Sequence, residues 1–186
     1  VVLVNISGTP TATLTSNHTL AELKTINTEI DGTITLNSYS VALSGLTADV
    51  EAALAGSFAS AYTGDVTLTD NHNLSQLKAI NNATTGTLTL NSYGIDLTGV
   101  TADIKDALDG TFTVDYSGNV TLNDTSDDVI LATHINIIDG DTTGTITVSN
   151  QIVISGTSSD VNDAFTAIVN TGNAKAVLTD PHTLAQ

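Results

Sequence analysis

Three histidines recur at one place in the chain. His18, His72 and His182 each close a Leu-Thr-x-x-His string and stand just before a Thr-Leu or Asn-Leu pair. An imidazole titrates near neutral pH and ligates borderline metals, so a ladder of them could bind metal or protons. One histidine per unit, with no second ligand fixed beside it, does not make a coordination site. Each therefore reads as a turn residue that packs or hydrogen-bonds locally, repeated because its surroundings were duplicated. His134 stands alone. Carboxylates gather at Asp124, Asp127 and Asp128, and again at Asp139 and Asp141 around Gly140. Hard oxygen ligands on a glycine-containing loop suit calcium. The twelve-residue EF-hand spacing and the Gly-Gly-x-Gly-x-Asp nonapeptide are both absent, so these residues read mainly as solvated turns and helix caps, with calcium a minor expectation and no other cofactor. No Gly-x-Ser-x-Gly elbow, phosphate loop, dinucleotide fingerprint or His-Glu-x-x-His motif occurs. An active site is ordinarily unique, whereas nearly all polar positions here are shared between copies. The reading assigns no catalytic, cofactor-binding or metal residue and expects no enzyme.

The elements that position these residues follow from an internal repeat, the first thing to look for in a chain of this kind. Residues 12–65 and 66–119 align without a gap over 54 positions, 28 of them identical. A third, divergent copy covers 120–175, with about one helical turn of extra sequence within 125–141. A fourth opens at 176 and runs to 186. Residues 1–11 read as the tail of a preceding unit, with Ile6-Ser7-Gly8 placed like Tyr62-Thr63-Gly64. The chain reads as a window on a longer array.

Within a unit, Thr13-Leu14-Thr15 alternates as a half-buried strand does. Thr19-x-x-Glu22, Asn73-x-x-Gln76 and Thr183-x-x-Gln186 are capping-box patterns that start a helix, and Leu20, Leu23 and Ile26, with Leu74, Leu77 and Ile80, form its apolar stripe. Gly32, Gly86 and Gly144 close that segment, where a positive φ or tight turn is expected. The apolar positions then change parity across Asn37-Ser38, which requires a turn or bulge between two strands. A second helix is expected over 48–55, capped by Thr47 and ended by Gly56, with copies at 101–110 and 159–172. A last strand is expected in Phe58-x-Ser60-x-Tyr62 and Phe112-x-Val114-x-Tyr116. Helices this short are marginal alone and must pack on the strands. The fold class is therefore α/β: a tandem-repeat solenoid of short strands and helices, about 54 residues per unit. The alternative is a string of small α+β or β-sandwich domains, each near the lower size limit for independent folding.

Composition narrows the setting. The chain sets 20 carboxylates against four lysines, Lys24, Lys78, Lys105 and Lys175, and no arginine, for a net charge of −16. Such a surface repels phosphate backbones and anionic headgroups, which argues against nucleic-acid and membrane roles. No run reaches the roughly 18 apolar residues of a membrane span. Without cysteine, nothing depends on disulfides. Asn-x-Ser/Thr triplets, at Asn5, Asn17, Asn73, Asn82, Asn119 and Asn123, are what a chain rich in these residues produces by chance.

The stretch from Leu68-Thr-Asp-Asn-His-Asn-Leu to Thr-Gly-Thr-Leu-Thr-Leu90, with the later Leu178-Thr-Asp-Pro-His-Thr-Leu-Ala-Gln, resembles tandem repeats of very large cell-surface or secreted bacterial proteins, cyanobacterial ones in particular. The resemblance spans nearly the whole chain and implies an exported stalk, filament, surface layer or adhesin spacer, located outside the cell or on its surface. The expected partners are neighbouring repeats of the same chain. Two other roles follow from the residues. One is a multivalent carbohydrate-binding module with an outward row of Thr, Asn and Tyr, including Tyr39 and Tyr93. The other is a self-associating fibre subunit with open strand edges.

Overall fold

A computed structural model describes residues 9–181. His182, the Thr183 to Gln186 capping pattern and the Ile6-Ser7-Gly8 tail lie outside those residues. The order is β1 (Ala12–Thr13), α1 (Leu20–Glu29), β2 (Ile34–Thr35), β3 (Leu43–Gly45), α2 (Thr47–Leu54), β4 (Val66–Leu68), α3 (Leu74–Ala83), β5 (Leu88–Thr89), β6 (Leu97–Gly99), α4 (Thr101–Leu108), β7 (Val120–Leu122), β8 (Val129–Leu131), α5 (Ala132–Asp141), β9 (Ile146–Val148), β10 (Ile152–Gly156), α6 (Ser158–Ala167) and β11 (Ala174–Leu178). The architecture is mixed α/β: six helices and small parallel sheets.

Local chemistry explains where the helices begin. At α1 the Thr19 hydroxyl oxygen accepts from the Glu22 N–H while the Glu22 carboxylate accepts from the Thr19 N–H; Asn73 and Gln76 repeat the arrangement at α3. Two amide groups that the helix itself leaves unpaired are thereby satisfied. The second helix of each unit starts differently from expectation. Thr47 is not its cap but its first residue, and Leu46, the capping position, offers no side-chain bond. Instead the Thr47 N–H and hydroxyl both donate to Asp70, 23 residues further on.

Every described strand pairing and bridge is parallel. The paired residues lie between 22 positions apart, as in Ala12 with Ile34, and 26 apart, as in Val120 with Ile146. The sheets run β3-β4-β5, β6-β7-β9 and β11-β10-β8, with β1 paired to β2. Side chains alternate along each strand. Val66 and Leu68 are buried around an exposed Thr67, and Ser44, Thr67 and Thr89 line up on the outer face. On the inner side the buried residues form one contiguous cluster, from Leu23 through Leu77 and Ile104 to Ile168. Consecutive helices pack against one another in a row, from α1 to α6.

Four other expectations change. The segment from Phe58 to Tyr62 is not a strand. Phe58 bridges back to Ile34 and Tyr62 bridges forward to Thr84, so the chain bends between two different neighbours; Phe112 and Tyr116 do the same. The extra sequence of the third copy builds no additional helical turn. It forms a turn through Asp127, whose φ is 66°, and then the strand β8, which pairs with β10. The helix expected over 159–172 is Ser158–Ala167, followed by a short 3-10 turn at Thr171–Asn173. Gly32, Gly86 and Gly144 do not adopt positive φ; they let two backbones meet. A Cβ on Gly86 would lie 2.2 Å from the Gly64 carbonyl oxygen, and one on Gly32 would lie 2.4 Å from that of Pro10. Pro10 thus stands to Gly32 as Gly64 does to Gly86.

Candidate functional site

The two recurring histidines among the described residues, His18 and His72, are each the end of a three-member relay. His18 and His72 sit in the turn before α1 and α3, each followed by the residue that caps the helix, and both are more than nine-tenths buried. His18 Nε2 lies 2.9 Å from the Tyr62 hydroxyl, which donates to the Val41 carbonyl at 2.6 Å. His72 Nε2 lies 3.1 Å from the Tyr116 hydroxyl, which donates to the Ile95 carbonyl at 2.7 Å. A carbonyl only accepts, so the one phenolic proton goes to it and the imidazole must supply the other hydrogen from Nε2. Nδ1 is then a bare lone pair, and in both histidines it is buried without a partner.

That arrangement settles the protonation states. Burial holds both imidazoles below the usual histidine range, although Glu22 offsets part of this at His18. Burial also raises the Tyr62 phenol to about 12, and pushes Tyr116 up further with help from Asp96. A neutral imidazole giving a hydrogen to a protonated phenol is a structural tie. It joins the helix entry to two other segments, 23 and 44 residues away.

The polar residues around the relays are engaged in the same way. Asp70, Asp124 and Asp180 each accept from the N–H and the hydroxyl of Thr47, Thr101 and Ser158, respectively. Those hydrogen bonds hold the Asp70 carboxyl below its ordinary range. Asn27, Asn81 and Asn136 donate to the backbone carbonyls of Ala52, Asp106 and Asp160 in the next helix. Lys24 pairs with Asp49, and Lys78 with Asp103 at 2.5 Å, one helix to the next; Lys105 pairs with Asp109 and Lys175 with Asp127.

The acidic loops do not converge. Asp124 is the buried acceptor just described, Asp127 holds Lys175, and Asp128 accepts from the Thr125 N–H. Asp139, Gly140 and Asp141 lie within α5 rather than on a loop. Burial and the neighbouring Asp109 raise the Asp141 carboxyl. Among the described residues no three acidic or histidine side chains form a group able to hold a metal ion. Tyr39 and Tyr93 do not point outward. Both are half-buried against the core, and their hydroxyls accept from the Leu36 and Leu90 N–H groups. No described helix is long and apolar enough to cross a membrane.

No protein-family model, curated protein or solved structure matches this chain.

The sequence singled out the histidines but not their tyrosine partners. The signal was present: Tyr62 and Tyr116 follow His18 and His72 by the same 44 residues. Asp70, Asp124 and Asp180 carried the same kind of signal, an aspartate 22 or 23 residues after a hydroxyl residue.

Proposed function

We propose that this chain is a structural segment of an extracellular bacterial surface protein, wound as a repeat solenoid that serves as a stalk, filament or adhesin spacer. One observation carries the reading. All described strand pairings are parallel and join residues 22 to 26 apart, as they must be in a chain that advances by one strand at each winding. Three further features support it. The core is one continuous cluster rather than one per unit, which disfavours the string of separate domains. Polar groups tie one winding to later ones: Asn27 to Ala52, Thr47 to Asp70 and Thr84 to Gly64 join neighbours, and the buried His18 reaches Tyr62 two windings on. The surface is strongly acidic, which keeps a long array soluble in a saline exterior where repulsion is screened within about 8 Å.

Small-angle scattering of the chain in saline tests this directly. A rod-shaped profile that calcium leaves unchanged is expected. A flexible profile, or one that stiffens only when calcium is added, would return the case to separate domains or to metal-bound loops.

A further inference from the structure

A recess of ≈ 390 Å³ opens where the first turn of α3 meets β6, lined by His72, Leu74, Ser75, Asp96 and Thr98, among others. It lies in the middle of the helix row: α3 packs between α2 and α4, and β6 is paired with β7. Its volume falls within the range of about 300–1,000 Å³ usual for small-molecule sites. Nothing in the structural role proposed above uses it.

Donors and acceptors converge there from three sides. At the start of α3, Gln76 and Leu77 give their N–H groups to Asn73, which leaves those of Leu74 and Ser75 without an acceptor among the described residues. Beside β6, one oxygen of Asp96 takes the Asn119 N–H at 2.9 Å, which fixes the carboxylate and leaves the other oxygen uncommitted. His72, only 5% exposed, forms a third wall, and its Nδ1 is an acceptor buried without a partner. The hydroxyls of Ser75 and Thr98 stand around these groups, and Leu74, Ile95 and Leu97 add apolar surface.

The charges select the ligand. Asp96 and the net charge of −16 repel an anion. A cation only donates, and the helix N-terminus meets it with a positive dipole end and two N–H groups that want an acceptor. A hydroxyl is neutral and does both. We infer that this recess binds a neutral saccharide: one hydroxyl donates to Asp96, and a neighbouring one accepts from the Leu74 and Ser75 N–H groups while giving its hydrogen to His72 Nδ1. The C–H face of the sugar ring rests on the apolar side chains. The site is single. His18 has the same bare Nδ1, but 54 residues before Ser75 and Asp96 stand Ala21 and Ala42. In the third copy Val129, Ile130 and Leu131 precede α5, with no histidine among them. Binding therefore goes through one copy, not through an outward row repeated in every unit.

Titration of the whole chain followed by amide NMR provides the test, with glucose, galactose, mannose, N-acetylglucosamine and a disaccharide of each as probes, and with inorganic phosphate and methylammonium as charged controls. At least one saccharide should shift the Leu74 and Ser75 amide signals saturably and leave those of Leu20 and Ala21 in place, while neither charged control should do so. Asp96→Ala installs the residue that the first copy carries at Ala42, so it should fold; it should weaken binding about tenfold or more, as loss of a hydrogen bond to a charged group does. Asp96→Asn keeps an acceptor for the Asn119 N–H and repeats the test without loss of that bond. No saturable shift with any saccharide, equal binding in both variants, or a stronger response to phosphate or methylammonium would overturn the inference. None of these outcomes touches the scattering profile on which the solenoid reading depends.

Discussion

At the scale of the residue, the buried histidine is the part of the chain whose chemistry is most constrained. A second proton on His18 or His72 would have to enter at Nδ1, where it would meet no acceptor and bring a charge into a buried site. The folded state therefore holds these imidazoles neutral below their ordinary pKa, while the unfolded chain protonates them normally. Since the unfolded state then binds more protons, stability should fall as the pH drops below about 6.5 and continue falling until the folded-state pKa is reached. The limiting slope is about 1.4 kcal/mol per pH unit for each histidine. Urea unfolding at pH 7.5 and pH 5.5 measures it. The loss should shrink in a His18→Gln, His72→Gln double variant, and an unchanged loss would mean that other groups carry it. Asp70 and Glu22, whose carboxyls are held low by hydrogen bonds, contribute stability of the opposite origin that disappears only in the acid range as they protonate. The two effects thus separate along the pH axis.

At the scale of the element, two glycines should respond to the same substitution with opposite signs. Gly86→Ala places a methyl group 2.2 Å from the Gly64 carbonyl oxygen and closer than 3 Å to two more backbone atoms. Backbone must move to relieve it, so a loss of about 1–3 kcal/mol or more is expected, the usual penalty for overpacking. Gly140 lies inside α5 with nothing near its missing Cβ, so Gly140→Ala should stabilise by about 0.5–1 kcal/mol through helix propensity. Thermal unfolding of the two variants would show the contrast, and a neutral Gly86→Ala would mean that the two backbones are not held that close. These elements also mark what the sequence could disclose. The capping boxes at Thr19 and Asn73 were readable because both partners sit within one helical turn. So was the break at Asn37-Ser38, because alternation along a strand is strict. Asp70 as the cap of α2 was not, since its partner lies 23 residues away and only the stacking brings them together. The Phe58 to Tyr62 segment has the alternation of a strand, yet its two ends answer to different neighbours, which no local pattern encodes. Of the candidate site, the histidines were visible as repeated residues. Their tautomer and their phenol partners depend on contacts between segments 44 residues apart.

At the scale of the whole molecule, the decisive property is whether the units share their stability. The helices pack consecutively and the core runs through all copies, so each unit is held partly by its neighbours, and stability should behave as a sum of unit and interface terms. The in-phase alignment of 12–65 with 66–119 allows a clean test, because deleting 66–119 joins Asp65 directly to Val120. Val120 would then take the place of Val66 opposite Leu43, since Val120 already faces Leu97 as Val66 faces Leu43. Asp124 would reach Thr47 as Asp70 did, and Tyr62 would meet Thr142 in place of Thr84. The shortened chain should fold. It would lose one pair of packed helices, about 16–20 Å of length at the usual 8–10 Å between axes, with its cross-section unchanged. Because an internal interface is lost as well as a unit, its urea midpoint should fall along with its m-value. Independent domains would behave otherwise: removing one leaves the midpoint of the rest where it was, so an unchanged midpoint would refute the shared core.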